Sequence, residues 1–411
     1  MRPFSPVCML LVASAGVIAP SATAQVRVVS LQDDASDNGW VGGAWVRCIA
    51  EDHSRAAGYA VIMGDGGPQP EAWDLTTGQM IHAPALAMSY ATSITNNGAV
   101  VATTADNMWA SGAFVWDVGA ATHQTYNVDR VSITGDGLRR ADAVFMGISS
   151  METRIVNHPA GTLIATVPGW GVIGVDGNTV LTGTHVWREG VGATDLRPLW
   201  PANLKLDELL FVSPDGGTFG GRLHCTTSSS NCPVPQGGFL SRNGEVTVWT
   251  DRCPMQASRG GLVLLSRHFN SPSYGMKATH ITTPRYGELT AREFFAREAP
   301  ALLPSRLGTW EILSVSPNGR GFVVFTGHGH PSHNFFFAEL RGDYLCNDID
   351  FNNDGLWPDT LDIETFLTVF SDGCMGADPP CDPIDFNNDG LFPDTADIEA
   401  FLRVFSGGTC F

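Results

Sequence analysis

The sequence predicts a mainly β chain: a β-propeller of about seven blades followed by a small α-helical calcium-loop module. Three observations carry that expectation. Glycine and proline make up 71 of the 411 residues while only 16% are charged, the balance of a turn-dense protein in which long amphipathic helices are not the theme. A unit of roughly 40 residues recurs through the first 340. From Cys346 the composition changes abruptly, and the chain repeats itself with an offset of 35.

The chain opens with Arg2, an apolar run over 7–19 and the small-residue pattern Ala22-Thr23-Ala24, which predicts a cleaved export signal over 1–24. The run is broken by Ser14, Gly16 and Pro20 and is shorter than the ~20 residues a membrane span needs. No later stretch is long and apolar enough to span, so the protein is expected in the extracellular space or at the cell surface. Eight of the nine cysteines follow the signal: Cys48, Cys225, Cys232 and Cys253, then Cys346, Cys374, Cys381 and Cys410. An even number in an exported chain predicts disulfides, and the absence of a Cys-x-x-Cys pair argues against a zinc or redox site.

The repeat domain is expected over 25–342. Its anchors are Ile94-Thr95-Asn96-Asn97-Gly98, Ile133-Thr134-Gly135-Asp136-Gly137, Val175-Asp176-Gly177, Val212-Ser213-Pro214-Asp215-Gly216 and Val315-Ser316-Pro317-Asn318-Gly319. The first four turn glycines are spaced 39, 40 and 39 apart. Asn-Gly and Asp-Gly between apolar runs predict hairpins with two-residue turns, with positive φ at both central positions. Aromatic-rich strands such as Ala113-Phe114-Val115-Trp116-Asp117 complete each unit, and a period of this size with about four short strands fits a propeller blade. Weaker echoes at Ile49-Ala50-Glu51-Asp52-His53 and Gly260-Gly261 bring the count to about seven. A two-sheet sandwich explains the strands but not the even period. The unit also resembles the extracellular repeats of bacterial exported proteins, a resemblance that implies no particular chemistry.

No paired carboxylates or nucleophile constellation emerges from these repeats, so no catalytic residue is assigned. Asp136, Asp176 and Asp215 recur at turns, where a short polar side chain supports the local backbone. The histidines of Gly327-His328-Gly329-His330-Pro331-Ser332-His333 read as a strand-joining loop before they read as metal ligands.

The tail, 343–411, is where the chemistry is legible. Calcium takes six to eight oxygens, and a loop with Asp, Asn and Asp at positions 1, 3 and 5 and Gly at 6 supplies them from one winding of backbone. Asp350, Asn352 and Asp354, with Gly355 at the bend and the Leu356 carbonyl next, fill these places in the first copy. Asp385, Asn387, Asp389, Gly390 and the Leu391 carbonyl fill them in the second. Asp362 and Asp397 stand where a closing carboxylate would come, at the start of an outgoing helix. Ile363, Phe366, Leu367 and Phe370, and likewise Ile398, Phe401, Leu402 and Phe405, predict one apolar face on each helix.

With these residues in view, the tail resembles the dockerins, duplicated calcium loop-helix modules that dock onto cohesins. It looks most like the variant of exported planctomycete proteins, with Asp-Phe-Asn-Asn-Asp-Gly-Leu-Phe-Pro-Asp-Thr-Ala-Asp loops and a closing Gly-Gly-x-Cys. The resemblance implies two calcium ions, a cohesin-like surface partner and association with polysaccharide-degrading systems. One departure matters: the closing carboxylate stands at position 12 in better-known dockerins, whereas Asp362 and Asp397 are at 13, so Asp359 or Asp394 could complete the shell instead. The flanking cysteines lie 28 and 29 apart and are compatible with one disulfide per copy or with outer and inner pairs.

The expected function is therefore an exported, non-catalytic propeller displayed on a partner through a calcium-dependent docking module. The alternative is a polysaccharide-degrading hydrolase or lyase targeted by the same tail, and a glycan is a possible ligand of the propeller in either case. The charge agrees with a cation site. Of the net −18, the tail holds −14, from 15 acidic residues against Arg403, and the remainder holds only −4. Phosphate backbones and anionic lipid would be repelled, which excludes nucleic acid and membrane surface as partners.

Overall fold

The computed structural model describes residues 26–31, 42–62, 67–83, 89–105, 113–146, 151–169, 171–174, 176–182, 184–196, 204–214, 216–225, 236–242, 245–249, 251–266, 277–303, 309–326, 334–340, 345, 349, 351, 360–372, 386–387 and 394–406. The expected export signal over 1–24 and the histidine tract lie outside them. Among the described residues, twenty-eight strands form seven antiparallel blades of four strands around a central channel, blades two and three being joined by the pairing of Arg130 with Thr104. Their innermost strands are Gly42–Ile49, Ser89–Ile94, Arg130–Ile133, Gly171–Ile173, Leu204–Val212, Cys253–Ala257 and Trp310–Val315. Blades one to six use consecutive strands. The seventh takes Trp310–Val315, Gly321–Thr326 and Asn334–Glu339 from the end of the repeat domain and Arg27–Ser30 from its start. Val28 pairs with Ala338 and Val29 with Phe337, so the first strand closes the ring.

The turn after each inner strand differs from the two-residue form that the Asn-Gly and Asp-Gly pairs predict. Gly98 (φ 65°), Gly137 (φ 74°), Gly216 (φ 77°) and Gly319 (φ 73°) take positive φ, but the Asn or Asp before them does not among the described residues. Thr95 O accepts from Gly98 N (2.9 Å) and Thr95 N donates to Val100 O (3.0 Å), the longer loop in which a tight turn ends on one left-handed residue. The side chains complete it. Thr95 Oγ1 donates to Asn97 Oδ1 (2.8 Å), which also accepts from Ala99 N (3.1 Å); Thr134 with Asp136 and Ser316 with Asn318 repeat the pattern. Asp136 is thus the turn residue expected from the sequence.

Glycine is required here twice over. A Cβ on Gly98 would stand 2.6 Å from Ser54 Oγ, and one on Gly216 would stand 2.0 Å from Thr179 Oγ1, both on the preceding blade. Both weak echoes are turns of the same kind: Gly261 has φ 76°, and His53 occupies the glycine place at φ 56°. His53 is held there by tertiary contacts, with Nε2 3.1 Å from both Ser316 Oγ and Asn318 Oδ1 and Nδ1 3.1 Å from Glu339 Oε1.

The core lies between blades. Trp73 of blade one, fully buried, meets Phe335 of blade seven edge-on at 5.8 Å. Blade six is enlarged by helix α1 (Ala291–Glu298), begun by a Thr290–Glu293 capping box that satisfies its first N–H groups. Its Phe294 and Phe295 pack with Trp310, Phe322 and Phe336.

In the tail, helices α2 (Thr360–Asp372) and α3 (Thr395–Phe405) share a small aromatic core of Phe351, Phe366, Phe386 and Phe401. Phe366 and Phe401, equivalent residues of the two copies, stack at 4.2 Å and 10°. The expected apolar face is narrower than the sequence period suggests: Leu367 and Leu402 are 47% and 48% exposed. Two short helices can bury only the stripe between them. Among the described residues no helix is long and apolar enough to cross a membrane.

The disulfides expected from the cysteine count do not include Cys48 or Cys253, which stand on the inner strands of blades one and six. Each belongs to a strand that packs round the channel. Of Cys225 only the backbone is described; Cys232 and the four tail cysteines lie outside the described residues. Burial pushes the Cys48 thiol up to about 12, while its Sγ donates to Ala57 O at 3.6 Å. At pH 8 it should alkylate on the order of a thousandfold more slowly than an exposed cysteine. Peptide-mapped iodoacetamide labelling of the native and unfolded chain measures this; equal native and unfolded rates would contradict it.

Candidate functional site

Two regions gather functional groups, and the first is the acidic tail. Asp350, Asn352, Asp354, Leu356, Asp359, Asp385, Asp389 and Leu391 lie outside the described residues, whereas Asp362, Asn387, Asp394 and Asp397 lie within them. Asp362 and Asp397, each three residues into its helix, are fully buried. Asp397 Oδ1 accepts from Asn387 N at 3.3 Å and its Oδ2 from Asp394 N at 3.0 Å. Loop position 3 and the carboxylate at position 13 are thereby drawn together. Asp394 caps α3, its Oδ1 accepting from Ala396 N at 2.7 Å, so the Asp394–Asp397 pair is a capping box with a carboxylate at both ends. Among the described residues no group of three or more His, Cys, Asp or Glu is gathered to hold a metal.

The second region is the propeller channel. Five inner strands carry a bulge at the same place, two residues before the apolar residue that leads into the turn. The extra residues are Arg47, Thr92, Leu210, Met255 and Leu313. A bulge leaves one residue without a partner and re-aims its side chain. All five line one cavity of about 180 Å³ that touches the inner strand of every blade. Arg130, the first residue of the blade-three inner strand, also lines it, and among the described lining residues none is Asp or Glu. The Arg47 guanidinium lies 4.5 Å over the Tyr90 ring.

At the turn end the blades are laced together. Asp52 N donates to Asn96 O (3.0 Å), Asn96 N to Gly135 O (2.7 Å), Asp176 N to Pro214 O (3.0 Å) and Arg259 N to Pro317 O (2.8 Å). Asn318 Nδ2 donates to Glu51 O at 2.9 Å, joining blade seven to blade one. Arg259 of blade six then pairs with Glu51 of blade one and with both carboxylate oxygens of Asp176 of blade four. Those carboxylates hold its guanidinium above its already high range, though burial works the other way. Asp176, expected as a local turn residue, instead reaches across the ring. Asp215 lies outside the described residues.

The chain folds as a seven-bladed β-propeller. No protein-family model matches it, and no curated protein does. Solved structures resemble the propeller. The β-propeller domain of the Trilobed protease from Pyrococcus furiosus superposes with a TM-score of 0.44 at 10% identity, over 73% of this chain and 98% of that one. An oligogalacturonate lyase from Vibrio parahaemolyticus gives 0.45 at 11% identity, over 77% and 98%. An oligogalacturonate lyase in complex with manganese gives 0.47 at 13%, over 77% and 98%. At such identities the likeness is one of fold alone.

Sequence reasoning missed Arg47, Arg130 and the Glu51–Arg259–Asp176 link. No motif marks them; only strand pairing reveals that Arg47 is the extra residue of its strand and that Arg259 faces two distant carboxylates.

Proposed function

We propose that the tail is a calcium-ordered docking module that displays the propeller on an extracellular or cell-surface partner, in the manner its dockerin-like repeat implies. The observation that carries this reading is the burial of Asp362 and Asp397 at equivalent places 35 residues apart. A carboxylate removed from water is costly unless a cation or several donors meet it. Asp397 is met on both oxygens by backbone N–H groups of the loop that carries Asp385, Asn387 and Asp389. The donor set fits calcium: oxygen ligands, no sulfur or imidazole, and a tail net charge of −14. Asp350, Asn352, Asp354, the Leu356 carbonyl and Asp362 would hold one ion, with Asp385, Asn387, Asp389, the Leu391 carbonyl and Asp397 holding the other. Asp359 and Asp394 are left to the helix starts, the place Asp394 occupies as a cap. Two ions bring +4 to this segment and relieve its self-repulsion.

Calorimetric titration of the full chain with calcium should reveal two sites, and Asp397→Asn should remove one of them. Chelation should speed hydrogen exchange over 360–372 and 395–405 and leave the blades protected. No heat at millimolar calcium would end the proposal.

A further inference from the structure

The propeller has a feature that the tail does not explain. We propose that the channel cavity binds a small carboxylate-bearing ligand, the size of a single uronic acid residue, with its carboxylate between Arg47 and Arg130.

Four of the five bulged positions carry Thr92, Leu210, Met255 and Leu313, all uncharged, so propeller packing does not ask for a cation there. Blade one alone places Arg47 at that position. Arg130 enters the same cavity from blade three, on the other side of the blade-two strand that carries Tyr90 and Thr92. Both cations line a cavity whose described lining includes no Asp or Glu, in a chain of net charge −18.

Pairing elsewhere sharpens the contrast. Arg139, Arg140, Arg154, Arg252 and Arg259 each meet a carboxylate. Arg47 meets none among the described residues and lies instead on the Tyr90 ring, which supports one face of the guanidinium and leaves its N–H edge for a planar acceptor. Size and surface narrow the ligand further. A cavity of about 180 Å³ holds about six waters by their share of the liquid, room for one ring and its substituents. Trp45 and Tyr59 add aromatic surface to the wall, and Ser93 and Thr92 add polar groups. The Glu51–Arg259–Asp176 link spans the turn end, so the ligand would enter where the inner strands begin.

The test compares D-glucuronate with D-glucose, which lacks the carboxylate, by calorimetry on the full chain. Glucuronate should bind at least about tenfold more tightly than glucose, the factor expected for a charge-assisted pair. Arg47→Leu gives blade one the residue that blades five and seven carry, so it should leave the unfolding midpoint in place while weakening glucuronate about tenfold or more. Arg130→Gln should do the same, and Arg139→Gln, on the surface pair with Glu189, should change nothing. Absence of glucuronate binding, equal binding of the two sugars, or wild-type affinity in Arg47→Leu with its midpoint retained would overturn the proposal. None of these outcomes bears on calcium binding by the tail.

Discussion

A chain shortened to begin at residue 31 should lose roughly 3–5 kcal/mol of stability, because the first strand closes the propeller. Arg27–Ser30 contributes its backbone bonds to Asn334–Glu339, each worth about 0.5–1.5 kcal/mol net. Arg27 adds a 3.0 Å pair with Glu339 and a 2.7 Å bond to Leu75 O of blade one. Without the strand, the edge that carries the fully buried Phe336 and Phe337 opens to water. A domain with a total stability of about 5–15 kcal/mol would be brought close to unfolding. The freed edge should also pair between molecules. Guanidinium unfolding and light scattering read both effects; an unchanged midpoint in a monomeric truncated chain would show that the first strand does not hold the ring.

Phe401→Ala should unfold the tail and leave the propeller intact. Phe401 is fully buried, stacked on Phe366 and 5.2 Å from Phe386, so truncation removes the centre of a core built on four rings. Phe→Ala at such a site costs about 3–5 kcal/mol, as much as the whole core of so small a module supplies. Hydrogen exchange over 360–372 and 395–405 should approach the rate of an unstructured chain, while the blade strands keep their protection. Leu402→Ala, at a 48% exposed neighbour, should change little. Protected tail helices in Phe401→Ala would mean that something other than the ring cluster holds them.

The parts of the fold legible in the sequence are those where a local chemical requirement repeats. The glycine spacing announces the blades because each turn needs a left-handed residue, and at Gly98, Gly177, Gly216 and Gly319 a Cβ would also crowd the preceding blade. The helices of the tail are legible from their 3.6-residue period. The turn form was less so: the Asn-Gly and Asp-Gly pairs suggest two-residue hairpins, whereas a Thr or Ser hydroxyl and the Asn or Asp side chain close a longer loop. His53 is harder still to read. Its left-handed turn depends on Ser316, Asn318 and Glu339, all more than 260 residues away.

The candidate sites divide in the same way. The spacing of the acidic loops involves only nearby residues, so the tail's two loops, their helices and the places of Asp362 and Asp397 are readable from the residues alone, together with a propeller of about seven blades. Tertiary structure decided how the ring closes, which leucines of the tail stay exposed, that Asp176 serves Arg259 rather than its own turn, and that Arg47 faces the channel. Each of these depends on pairing between segments far apart in the chain. The register of two strands determines which residue is the extra one, and hence where its side chain points, and that register is set only when the sheet has formed.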